Sequence, residues 1–128
     1  MSKWETPMTR WFWESVGGLL VEEFQMVKRE PGIAPRYADG VIILNRPSAI
    51  SSRTDIEIQG CDVIVIQTKA GRLGMHLLGQ TLFSLQLVQL LKPATARAVA
   101  VCAEDDLLMR RLLESHQRCS VAIYPGPK

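Results

Sequence analysis

The stretch Cys61 to Lys69, CDVIVIQTK, passes through four consecutive β-branched residues, Val63, Ile64, Val65 and Ile66, and ends on the polar triplet Gln67-Thr68-Lys69. An apolar run without alternation has no face to turn toward water, which is the pattern of a central strand covered by helices on both sides. Side chains alternate along a strand, so Gln67 and Lys69 are expected on one face and Thr68 on the other. The stretch reads as a buried core strand with polar chemistry at its mouth.

Working outward, the spacing predicts elements on both sides of this strand. Thr6-Pro7 has the form of an N-cap followed by proline at the first helical position, and a short helix is expected to about Val16, ending at Gly17-Gly18. Trp11, Phe12 and Trp13 lie in it and span most of a helix circumference, so at least one ring is expected near the surface, a position that would permit a homodimer contact. Leu19 to Lys28 reads as a strand with Leu20, Glu22, Phe24 and Met26 on one side. Arg29 to Pro35 is a loop by its prolines and glycine, and Arg36 to Leu44 a second strand, with Asp39 just before the apolar run Val41 to Leu44. Thr54 to Ile58 alternates and is expected to pair with the 62–69 strand across a turn at Gln59-Gly60. Beyond Lys69, Ala70 to Gly74 reads as a loop, and apolar residues at Leu78, Leu82, Leu85, Val88 and Leu91 predict the longest helix, Met75 to Leu91, stopped by Pro93. Arg97 to Ala103 is a further strand, and Glu104, Asp105 and Asp106 open a helix whose last turns carry Arg110, Arg111 and Arg118. Ser120 to Tyr124 closes the sheet. The order is α-β-β-(β)-β-α-β-α-β, an α/β class with a mixed sheet flanked by helices, in a single domain over residues 1–128.

Composition sets the limits. A chain of 128 residues with 47% apolar content can bury about two thirds of its unfolded surface without a disulfide or structural metal. A net charge of +2 excludes a globally polybasic nucleic-acid binder, so any such surface has to be a local patch. Cys61, Cys102 and Cys119 are odd in number and show no CxxC or Cys/His spacing, which argues against a zinc site and for a reducing cytoplasm. The N-terminus lacks an apolar signal core, and no run approaches the ~18 apolar residues of a membrane span, so no membrane association is expected. A phosphate-binding glycine loop and a nucleophile motif are both missing, which leaves an ordinary metabolic enzyme poorly supported.

Two adjacent core strands, one starting near Asp39 and the other ending at Gln67 and Lys69, can bring these side chains together if they pair antiparallel. A carboxylate and an amide oxygen are hard donors of the kind that suits Mg²⁺, which keeps several waters and takes only one or two carboxylates. A neighbouring lysine can orient a water or neutralise charge on phosphate. Arg36 and Arg72, with Arg10 if the first helix packs nearby, are the cations available for a phosphodiester backbone.

The array of Asp39 followed by Gln67-Thr68-Lys69, on two core strands framed by a preceding and a following helix, resembles the PD-(D/E)xK nuclease superfamily, the restriction-endonuclease-like fold. Its αβββαβ core covers essentially the whole chain. The resemblance implies Asp39 and Gln67 as ligands of Mg²⁺ or Mn²⁺ and Lys69 as the lysine that assists the attacking water. It further implies Glu14 as the first-helix glutamate of some members, and Gln80 as the glutamine that others carry on the helix after the triplet, where it can touch the nucleic-acid backbone. Two positions depart from the pattern. Alanine precedes Asp39 in place of the name-giving proline, and Gln67 replaces the acidic residue of the triplet, which removes one negative charge from the metal cage. The expectation is a metal-dependent nuclease acting on nucleic acid, DNA rather than RNA. The alternative is a catalytically decayed domain of the same fold that serves as a nucleic-acid or protein interaction module.

Overall fold

The computed structural model describes residues 5–53 and 55–126. The elements follow as α1 (Thr6–Val16), β1 (Leu19–Val27), β2 (Arg36–Ile43), β3 (Ala49–Ser51), β4 (Asp62–Arg72), α2 (Met75–Gln89), β5 (Thr95–Glu104), α3 (Leu107–Glu114) and β6 (Cys119–Ile123). They build one mixed sheet in the order β3-β1-β2-β4-β5-β6. β1, β2 and β4 pair antiparallel, while β4, β5 and β6 pair parallel. Parallel neighbours need a long crossover, and α2 and α3 supply the two of them.

The apolar run of β4 is covered on both faces, as its lack of alternation requires. Ile64 and Ile66 face α1 together with Met8, Leu20, Ile42, Val99 and Val101. Val63 and Val65 face α2 and α3 in a larger cluster with Val41, Ile43, Leu77, Val88, Ala98 and Leu113. The α1 aromatics are half-buried against the first of these layers. Trp13 donates its Nε1–H to the Gly18 carbonyl at 2.7 Å, and Trp11 meets Tyr124 edge to face at 5.6 Å. Thr6 lies inside α1, not at its cap. Glu5 holds the cap position without a side-chain hydrogen bond, and Pro7 sits in the first turn, where a missing N–H costs nothing.

Gly40 sets how closely α1 docks. A β-carbon there would lie 2.8 Å from Thr9 Cγ2 and 3.0 Å from Leu20 Cδ1, both buried. Gly40→Ala is expected to cost about 1–3 kcal/mol in denaturant unfolding by levering α1 away from the sheet. An unchanged midpoint would mean that Thr9 rotates aside and the docking is loose.

Besides the cap of α1, the structure departs from the sequence reading at four points. The short edge strand is Ala49–Ser51, and it pairs parallel with β1; residues 55–58 form no strand, and Thr54 lies outside the described residues. Ile58 is buried all the same, so the alternation of that segment reflects packing onto the core, not a ladder. β4 runs through Ala70 and Gly71 to Arg72, where a loop was expected, with an irregularity in its pairing after Lys69. α3 ends at Glu114, short of Arg118, and begins with Asp106 as its cap, whose Oδ1 accepts from Met109 N at 3.0 Å. Last, β1 does not keep period 2. Leu20 faces α1, whereas Phe24 and Met26 face α2, and the switch falls at Glu23, whose φ of 52° breaks the strand conformation. β2 changes phase opposite it: Ile42 faces α1 and Ala38 faces α2, and the register passes from Glu22↔Gly40 to Phe24↔Ala38.

Candidate functional site

The ladder between β2 and β4 ends at the pair Gly40↔Ile66, which puts Asp39 and Gln67 at the point where the strands part. Side chains take over the missing backbone bonds there. Asp39 Oδ2 accepts from Thr68 N and from Thr68 Oγ1, both at 2.8 Å. Gln67 Oε1 accepts a long bond from Asp39 N at 3.4 Å, and its Nε2 donates to Ser84 Oγ on α2 at 2.8 Å. Asp39 and Gln67 are therefore neighbours, as their strand positions promised. Their functional ends, however, diverge. Gln67 reaches the α2 side, while Asp39 joins Thr68 on the α1 side, because the change of phase in β2 turns Asp39 over relative to β4.

The environment of Asp39 is unfavourable to its charge. Burial pushes its carboxyl above the ordinary carboxylate range, the two Thr68 bonds pull it partly back, and the nearby Glu5 carboxylate adds to the rise. No lysine or arginine among the described residues lies close enough to lower it. Gln67 is almost fully buried, at 5% exposure, with both ends of its amide engaged. Lys69 follows two residues later and is exposed.

The other candidates are more scattered. The part of α1 that approaches the Asp39–Gly40 corner is Thr9 together with Glu5, and Glu14 lies about 7.5 Å further along the helix axis. Glu14 is exposed and borders a shallow depression with Arg10 and Tyr124. Arg10 is committed to Glu22 through two bonds of 2.9 Å. Arg72 pairs with Glu104 at 3.0 Å and donates to the Asp105 carbonyl, both on the solvent side. Such an exposed pair is worth little and leaves Arg72 available to a stronger anion.

Arg36, Gln67 and Gln80 do come together. They line an open groove of about 550 Å³ between α2 and the start of β2, with Ser84, His76 and Phe83 beside them. Sequence reasoning missed Thr68, which takes the carboxylate, and Ser84, which holds Gln67. Ser84 had a readable signal, since it stands four residues after Gln80 between the apolar Phe83 and Leu85 and a buried hydroxyl needs a partner. Thr68 had none beyond its place in the triplet.

Among the described residues no group of three or more His, Cys, Asp or Glu is arranged to hold a metal. None of the described helices is long and apolar enough to cross a membrane. No family model, curated protein or solved structure matches this chain.

Proposed function

We propose that this chain is a divalent-metal-dependent nuclease of the restriction-endonuclease-like class, hydrolysing phosphodiester bonds in DNA rather than RNA. One observation carries the reading: Asp39 is a half-buried carboxylate with no cationic side-chain partner among the described residues, held at the parting of two core strands beside Gln67, with the exposed Lys69 two residues after Gln67 along β4. Taking an anion partly out of water is costly, and sites that bear such a cost are candidates for function. The antiparallel β1-β2-β4 run with α1 before it, and the α2 crossover to a parallel β5, also match the αβββαβ order that the resemblance implies.

The donor chemistry fits a hard cation that keeps most of its waters. Asp39 would be the one charged ligand, and Gln67 Oε1 would join it only by turning from the α2 side and giving up its long bond to Asp39 N and its bond to Ser84. Affinity is then expected to be low. A bound Mg²⁺ or Mn²⁺ supplies an activated water and neutralises charge on the phosphate. Thr68 fixes the orientation of Asp39 through two donors. Lys69, exposed two residues after Gln67, offers an ammonium that could orient the attacking water or hold the scissile phosphate, and Arg36 offers a second cation in the groove that Gln67 lines. Lys69→Ala is expected to lower cleavage of a nicked or supercoiled DNA by about 10²-fold or more while leaving the heat of Mn²⁺ binding unchanged. Equal losses of both would make Lys69 a structural residue.

A second reading is favoured by Gln67: its amide is engaged at both ends inside the protein and turns to the face opposite the Asp39 carboxylate. In that reading the fold is kept as an interaction module and the chemistry is lost. Calorimetric titration with Mn²⁺, together with incubation on single-stranded, duplex and branched substrates, separates the two. No heat and no cleavage would leave the module standing.

A further inference from the structure

The groove along α2 has a composition that the cleavage chemistry does not use. His76, Gln80, Phe83 and Leu87 are spaced four, three and four residues apart, so they form one flank of the helix. Phe83 is 64% exposed in a helix that otherwise buries Leu77, Leu85 and Val88. Arg36 stands on the opposite wall, where its Nη1 donates to the Ala34 and Pro35 carbonyls and its remaining donors make no bond within the described protein. Among the described residues no acidic side chain lines the groove.

We propose that this groove seats an unpaired nucleobase, stacked on Phe83 with its polar edge toward Gln80 and its phosphate toward Arg36, so that the preferred substrate is single-stranded or locally unpaired. An exposed ring gives a sequence-tolerant platform for the π-face of any base, and a nearby guanidinium with no competing acid complements the backbone. The size agrees. A volume of about 550 Å³ falls in the range of small-ligand sites, roughly 300–1,000 Å³, which suits one or two nucleotides and not a duplex. The groove also adjoins the site, because Gln67 and Ser84 line it while Gln67 touches Asp39 on the other side. The inference rests on the nucleic-acid reading above and gives its substrate class.

Anisotropy of a labelled oligothymidylate in EDTA tests it without any cleavage. The expected result is tighter binding of the single strand than of a duplex of the same length. Phe83→Ala and Phe83→Leu should each weaken single-strand binding by about 5- to 150-fold, the usual worth of one stacked base, while Phe83→Trp retains it. Because Phe83 is exposed, these variants should fold normally, which thermal melts would verify. Oligonucleotide binding that depends on the ring, in a protein that neither binds Mn²⁺ nor cleaves, would sink the nuclease and spare the groove. Equal affinity for duplex and single strand, or a Phe83→Leu variant that binds like the parent, overturns the proposal. So does a Phe83→Ala variant that splits a dimer in sedimentation without changing oligonucleotide affinity, since the groove would then be covered by a second copy of the chain.

Discussion

Asp39→Asn is expected to abolish metal-dependent cleavage, leaving less than about a thousandth of the parent activity, and at the same time to make the metal-free protein more stable. The two effects share one cause. Asp39 is held in a place that penalises its charge, and the amide is a near-isostere whose oxygen can still accept from Thr68. Removing a charge that its site penalises commonly gains about 0.5–2 kcal/mol, a few degrees in a melt. The pH dependence has a definite sign. The folded carboxyl sits above its ordinary range, so its contribution to stability is fully present below that range and is lost as pH rises through the folded value. The parent should therefore lose stability relative to Asp39→Asn across this window, and the difference should persist at neutral pH. Added Mn²⁺ should restore the parent and leave the variant unmoved. Melts at several pH values with and without Mn²⁺ measure all of this. A variant less stable than the parent at neutral pH would mean that the Thr68 bonds outweigh the cost of burial, and Asp39 would then be a structural clasp between β2 and β4.

How much of this was legible in the sequence depends on the kind of signal. The unbroken run Val63 to Ile66 can be satisfied only by cover on both sides, and α1 on one face and α2 with α3 on the other provide it. The apolar period after Met75 and the acid at Asp106 likewise act within a few residues, and α2 and α3 lie where they predict, give or take a turn. The local signals failed where a distant partner decides. Nothing in the composition of Ala49 to Ser51 marks a strand; it becomes one because the edge of β1 is open to it, with Ala49 N donating to Gly18 O. The phase switch at Glu23 is invisible for the same reason. A strict alternation from Leu20 to Met26 would put Phe24 on the α1 face, and the chain instead accepts a left-handed residue to bring Phe24 and Met26 under α2. That single choice also decides the site, because Asp39 lies opposite Glu23 and turns with it. The adjacency of Asp39 and Gln67 was thus readable from strand positions, and the direction of Asp39 was not.

Gln67→Glu gives the sharpest division between a working site and a fold that has lost its chemistry. The new carboxylate would sit at a position 5% exposed, lose the bond that Nε2 now donates to Ser84, and stand next to an Asp39 that is already penalised. Ser84 can rotate its hydroxyl to donate instead, and Asp39 N can still donate, so part of the hydrogen bonding survives. Against this stands a new repulsion between two adjacent carboxylates, one half-buried and one buried. In EDTA the variant should lose about 1–3 kcal/mol of stability in denaturant unfolding. A metal cage turns that loss into affinity, because two carboxylates that repel each other both gain from one divalent cation. Mn²⁺ should then bind about tenfold tighter or more than to the parent, and recover most of the lost stability; titration calorimetry and melts read the two quantities separately. Restored cleavage above the parent would place Gln67 at the second ligand position. If the variant is destabilised and gains no affinity, Gln67 is a buried brace between β4 and α2, held by Ser84 and the Asp39 N–H, and the diverging ends of Asp39 and Gln67 mark a domain that binds without cutting.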